Sequence, residues 1–97
     1  MSILVLVEGQ VQPDKVDDFK SFIASVIGGT RAYDGCEEMT FHINQDDATD
    51  FVFAERWASR AQYEAYLAWR TETGALEQVA ALLQAEPSVR YFENTGI

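Results

Sequence analysis

Phe51-Val-Phe-Ala-Glu-Arg-Trp57 runs directly into Ser59-Arg-Ala-Gln-Tyr-Glu-Ala-Tyr66, and the reading of this junction decides the fold. The first stretch reads as a strand. The second reads as a helix opened by Ser59 with Gln62 three residues on, the spacing of a capping box. Side chains alternate along a strand, so Phe51 and Phe53 share one face and Val52 and Ala54 the other. A strand with one wet face alternates apolar with polar residues, and this one is apolar on both. Both faces must therefore be covered. In a chain of 97 residues, a second copy is the expected cover for one of them.

Working outward, Ile3 to Val11 is β-rich and ends at Gln12-Pro13, with Pro13 suited to the first turn of a helix. Val16, Phe19, Ile23, Val26 and Ile27 then recur at spacings of three and four, the signature of one helical face. Asp14, Asp17 and Asp18 favour its N-terminus. Gly28-Gly29 is expected to weaken or end this helix, leaving Thr30 to Tyr33 as a short piece before the turn signal Asp34-Gly35. Glu38 to Ile43 is strand-like, with Met39, Phe41 and Ile43 on one face and Thr40 and His42 on the other. Asn44 to Asp50 reads as a polar hairpin loop.

The helix after Ser59 presents Tyr63, Tyr66, Leu67 and Arg70, and Gly74 interrupts it. Leu76, Val79, Ala80, Leu82 and Leu83 make a second short helical face, stopped by Pro87, and Ser88 to Glu93 is a last strand. The order is β-α-β-β-α-(α)-β, which predicts an α+β, ferredoxin-like fold: a four-stranded antiparallel sheet with helices on one face. Residues 1–97 are expected to form a single domain, paired into a homodimer through the open sheet face.

Sixteen acidic against seven basic residues give a formal net charge of −9, which repels nucleic acid and anionic membranes. No apolar run approaches a membrane span and no leader pattern opens the chain, so a cytoplasmic location is expected. Cys36 stands alone and is flanked by Glu37 and Glu38, which argues for a structural thiol. Asp46, Asp47 and Asp50 lack the glycine and distal glutamate of a calcium loop, and no Cys/His cluster suits zinc. No metal or cofactor is expected.

The pieces Pro13-Asp-Lys15, Thr30-Arg-Ala32, Asp34-Gly-Cys36, Phe53-Ala-Glu-Arg-Trp57 with Ser59, and a final strand after Ala85-Glu-Pro87 occur in an order similar to that of a known family. The chain resembles the antibiotic biosynthesis monooxygenase-like proteins, which are dimeric α+β barrels. The resemblance implies a chemically broad set of activities. Some members oxygenate quinol- or anthrone-like aromatics without metal, flavin or haem; others degrade haem, isomerise small molecules or have no assigned activity. Fold alone does not choose among them.

The haem-degrading relatives rely on a helical histidine, and Ser59 to Leu83 contains none, so haem degradation is not expected. The resemblance instead implies a cofactor-independent monooxygenase of a small electron-rich aromatic: a quinol, an anthrone or a polyketide phenol. Trp57 and Tyr63 match residues used by the family's oxygenases and are the candidate catalytic pair. Tyr66, Arg70, Phe53 and His42 are the candidate substrate-binding residues. An indole N–H, phenolic O–H groups and an arginine suit such a reaction because they hydrogen-bond an oxygen that gains negative charge.

The competing reading makes Trp57 and the tyrosines core residues with satisfied polar tips. Two other functions stay open: a non-catalytic, dimeric small-molecule-binding or stress-related module, and a cofactor-free isomerase. His42, the single histidine, fits a loop-proximal or interface position as well as a base. Arg56 alternates away from Glu55 and Trp57 and is expected on the dimer-facing side, where a buried guanidinium must be paired. A structural ion pair with Glu55 or Glu8, or with their copies across the dimer, is the first reading of Arg56. An acid–base role for Glu55 is the second.

Overall fold

The computed structural model describes residues 2–97. Strand β1 (Ile3–Gln10) lies between β3 (Asp50–Trp57) and β4 (Ser88–Glu93), and β2 (Cys36–Ile43) closes the other edge beside β3. All pairings are antiparallel, in the order β2-β3-β1-β4, which is the α+β, ferredoxin-like arrangement the element order predicts. Helices α1 (Val16–Ala32), α2 (Arg60–Glu72) and α3 (Ala75–Ala80) complete it.

Register explains the doubly apolar β3. Phe51, Phe53, Glu55 and Trp57 are all buried on the helix side, with Val5, Val7 and Met39 from neighbouring strands. Phe19 of α1 packs its ring on Phe51, with centroids 4.8 Å apart, and edge-on to Phe41 at 5.6 Å. The outward face carries Leu4, Leu6, Val52, Ala54 and Phe92, and Leu4 and Phe92 are each 39 % exposed.

The helix α1 does not end at Gly28-Gly29 but continues to Ala32. Two glycines cost a helix roughly 1 kcal/mol each relative to alanine, and a tertiary contact offsets that here. A Cβ at Gly29 would lie 3.2 Å from a guanidinium nitrogen of Arg70, so the bare backbone is what admits that side chain. Arg70 in turn donates to the Val26 carbonyl at 2.7 Å and to Thr30 Oγ1 at 3.1 Å, which holds the last turns of α1 in place. Gly35 then takes φ of +93°, the left-handed value the turn into β2 requires.

The second short helix is also shorter than its apolar spacing suggests. It stops at Ala80, leaving Leu76 38 % exposed, while Leu83 forms an isolated bridge with Val11 and is buried. The Asn44–Asp50 loop is knit by its own side chains: Asn44 Oδ1 accepts from the Asp46 amide and Asp47 Oδ1 from the Thr49 amide and hydroxyl. Among the described residues no group of three His, Cys, Asp or Glu side chains is gathered for a metal, and no helix is long and apolar enough to cross a membrane.

The expected partner of Arg56 is corrected. Arg56 pairs with Glu38 of the adjacent strand at 3.1 Å, both side chains more than half exposed, and Glu8 pairs with Arg90. Exposed pairs of this kind contribute about 0–1 kcal/mol. Glu55 makes no ion pair among the described residues and lies on the opposite face, 3 % exposed.

Candidate active site

Between the inner sheet face and the helices lies a cavity of about 80 Å³. Its apolar walls include Ile23, Val26 and Ile27 of α1, Met39 of β2 and Phe53 of β3. Its polar groups are Thr30, Glu55, Tyr63, Tyr66 and Arg70. Strand parity aims Glu55 inward, one alternation from Phe53. The capped start of α2 presents Tyr63, Tyr66 and Arg70 along one stripe at spacings of three and four. The N-cap itself is formed: Ser59 Oγ accepts from the Gln62 amide at 3.2 Å.

Arg70 is buried without a carboxylate partner, since Thr30, Tyr66 and the Val26 carbonyl take its donors. Tyr66 and Thr30 share a further 2.6 Å hydrogen bond between their hydroxyls. The guanidinium also lies 4.5 Å from the Trp69 ring centroid, a cation–π contact. The result is a fixed positive charge at one wall of the cavity, held by neutral groups.

Glu55 is a buried carboxylate whose Oε1 accepts the Trp57 indole N–H at 3.0 Å. Burial pushes its carboxyl up to about 7, against the smaller opposing effect of that indole hydrogen bond. Burial also raises the Tyr63 phenol far above its usual range, helped by the charge on Glu55 and by Tyr91 and Tyr66. Tyr63 is therefore a neutral hydroxyl donor at every working pH. Its hydroxyl takes no part in the hydrogen-bond cluster of Thr30, Tyr66 and Arg70 beside it. Burial likewise raises the Cys36 thiol, with Glu55 the next cause, which suits a structural thiol.

Of the six side chains singled out from sequence, Phe53, Tyr63, Tyr66 and Arg70 line this one cavity. Trp57 does not. It is fully buried behind Glu55, packed on Tyr66 and Tyr63 with ring centroids 5.1 and 5.5 Å away, and its N–H is committed to the carboxylate. His42 is on the other side of the sheet, exposed and hydrogen-bonded to Thr40 Oγ1 at 2.8 Å. Alternation along β2 separates it from Phe41 and Ile43, so it is no part of the cavity.

Sequence reasoning passed over Thr30, and it read Glu55 first as an ion-pair partner of Arg56 and only second as an acid–base group, whereas both line the cavity. Glu55 had a legible signal: it shares strand parity with Phe51, Phe53 and Trp57.

A four-stranded antiparallel sheet packed with helices, enclosing a cavity with a buried arginine and carboxylate, defines a small α+β, ferredoxin-like fold with a polar-lined interior. Residues 2–71 match the family model described as antibiotic biosynthesis monooxygenase, and the chain belongs to that family. The matched segment carries β1 through most of α2, and so holds all five polar groups of the cavity. Solved structures share the fold over nearly the whole chain. A conserved protein from Methanosarcina mazei Go1 superposes with a TM-score of 0.89 at 18 % identity, covering 98 % of this chain and 94 % of that one. A protein described as antibiotic biosynthesis monooxygenase gives 0.86 at 20 % identity, covering 96 % and 98 %. SnoaB, a cofactor-independent oxygenase from Streptomyces nogalater, gives 0.83 at 15 % identity, covering 97 % and 93 %. No curated protein matches the chain in sequence.

Proposed function

We propose that this chain is a cofactor-independent monooxygenase of a small electron-rich phenol, working as one domain within a homodimer. The observation that carries the reading is the composition of the cavity. Flat apolar walls suit an aromatic ring, the Tyr63 hydroxyl stands outside the Thr30, Tyr66 and Arg70 cluster, and the Arg70 charge is built in with no carboxylate against it. Such a site favours a substrate whose oxygen becomes an anion. Family membership and the likeness to the Streptomyces nogalater oxygenase support the same chemistry.

In that reaction the substrate anion gives one electron to dioxygen, and the radical and superoxide combine to form a C–O bond. The peroxide anion so formed takes back the proton that the phenol gave up, and loss of water from the hydroperoxide, with the hydrogen on the same carbon, leaves a new carbonyl. One oxygen atom stays in the product and the other leaves as water. Arg70 holds the substrate oxygen's charge, Tyr63 hydrogen-bonds it, and the apolar walls keep bulk water from the reactive intermediates. Trp57 acts through Glu55 and does not touch the substrate.

A volume of about 80 Å³ is well below the roughly 300–1,000 Å³ of ordinary ligand pockets. A neighbouring hollow of about 300 Å³ shares Val7, Tyr63, Leu67 and Val79 with it. The combined space favours a one- or two-ring quinol over a three-ring anthrone. The homodimer is supported by the outward apolar strip of Leu4, Leu6, Val52, Ala54 and Phe92.

The test is oxygen consumption with a panel of reduced quinols and anthrones, corrected for autoxidation. Uptake above the blank, fastest with the smaller quinols, is the expected result. No uptake with any member overturns the oxygenase reading and leaves binding without turnover.

A further inference from the structure

Among the described residues Glu55 is the single acidic side chain in the cavity, and its charge forms no ion pair there. A neutral glutamine would accept the Trp57 indole N–H equally well. Burying a carboxylate without a cationic partner costs stability, and no Lys or Arg lies in ion-pair contact with Glu55 among the described residues. Its Oε1 is fixed by Trp57 at 3.0 Å, and no second side-chain donor reaches the carboxylate among the described residues. One carboxylate oxygen is thus left for whatever occupies the cavity.

We propose that Glu55 is the proton acceptor that converts the bound phenol to its anion. The inference rests on the oxygenase reading for its substrate class. The phenolic O–H bond breaks, the proton joins the free oxygen of Glu55, and the electron pair stays on the substrate oxygen. Negative charge therefore moves from Glu55 to the substrate without changing the net charge of the cavity. Arg70, whose hydrogen-bond partners are neutral groups, then faces an anion. Transfer inside a closed cavity avoids bringing hydroxide or buffer base to the substrate, and it leaves the electron-rich species beside the oxygen it reduces.

The surroundings fit that role. Around Glu55, α2 contributes Tyr63, Tyr66 and Arg70, β2 contributes Cys36, and α1 contributes Thr30 together with Arg31, which is tied to the Met39 carbonyl at 3.0 Å. β4 contributes Tyr91, packed on Tyr63 with ring centroids 5.8 Å apart. Strand β1 presents valines and α3 presents Ala75 and Val79. Among these, burial raises the Tyr63 phenol and the Cys36 thiol and so keeps both neutral near neutral pH, where Glu55 changes charge. Burial lifts its carboxyl to about 7, which brings its basicity toward that of a phenol at about 10 while leaving it substantially ionised at neutral pH.

Two measurements on wild type, Glu55→Gln and Trp57→Phe test this. The first is the binding of para-cyanophenol at neutral pH, read by its phenolate absorbance and by proton release into a weakly buffered indicator solution. Wild type is expected to show the phenolate band with no proton passed to solvent, and Glu55→Gln to bind the phenol un-ionised. A wild type that binds it un-ionised or not at all, or a Glu55→Gln protein that forms as much phenolate, overturns the proposal. The second is kcat/KM for a turned-over quinol against pH. Wild type should lose activity below an inflection near neutrality. Glu55→Gln should lose that inflection and about 100-fold or more in rate, the usual range for general acid–base catalysis.

Trp57→Phe removes the hydrogen bond that favours the ionised carboxylate, so its inflection should move to higher pH. A rate in Glu55→Gln within about twofold of wild type, with the inflection intact, also overturns the proposal. Phenolate formation without oxygen uptake leaves the proton acceptor standing and removes the oxygenase reading, so the two failures are distinguishable.

Discussion

Glu55→Gln also makes a quantitative prediction that needs no substrate. In an unfolded chain the Glu55 carboxyl titrates near 4.5, and in the folded protein burial lifts it to about 7. The folded state therefore holds this proton more tightly than the unfolded state. Its contribution is fully present below pH 4.5 and is lost as pH rises through about 7. A shift of about 2.5 units, at about 1.4 kcal/mol per unit, corresponds to about 3 kcal/mol. Glutamine keeps the volume and the acceptor for the Trp57 indole, so other titrating groups contribute alike to both proteins and cancel in the difference. Urea unfolding of the two proteins across this pH range measures it. Wild-type stability minus that of Glu55→Gln should fall by about 3 kcal/mol from the acid to the alkaline side and be level beyond. A difference that is flat with pH, or that grows with pH, would refute the claim that Glu55 is desolvated and unpaired.

Arg70→Met keeps much of the apolar stem but removes the donors to Val26, Thr30 and Tyr66; it should cost about 2–4 kcal/mol in urea unfolding and lower quinol turnover as well. A loss below about 1 kcal/mol would show that the guanidinium does not hold α1 and α2 together. Gly28→Ala meets nothing within 4 Å and should stabilise α1 by roughly 0.5–1 kcal/mol, whereas Gly29→Ala should gain less or lose stability because its methyl presses on the clamped Arg70. Equal thermal shifts in the two variants would sink that account. Phe92→Asp puts a charge in the outward apolar strip beside Leu4, its register partner. Light scattering should then report a monomer in place of the dimer, and an unchanged mass would move the interface elsewhere.

Most of this architecture was legible from local pattern. The period-two run in β3, the helical stripe of Val16, Phe19 and Ile23, the Ser59 cap and the Asp34-Gly35 turn each act within one element. A reader of sequence alone can place them and the family they belong to. The cavity-lining stripe Tyr63, Tyr66, Arg70 was visible for the same reason. Parity along β2 and β3 carries the signal that puts His42 outside the cavity and Glu55 inside it, while the neighbouring charge of Arg56 points instead to an ion pair. Tertiary structure decided the rest. Gly28-Gly29 stays helical because Arg70, forty-one residues beyond Gly29, passes close to the bare backbone there and clamps the last turns of α1 through Val26 and Thr30. Arg56 finds Glu38 because strand register brings them side by side. Leu83 leaves the helical pattern to bridge Val11, and the Trp57 N–H is committed to Glu55. Periodicity is written residue by residue along the chain. Partners, burial and the proton affinity of a carboxylate depend on which distant segments share a dielectric, and only the packed structure sets that.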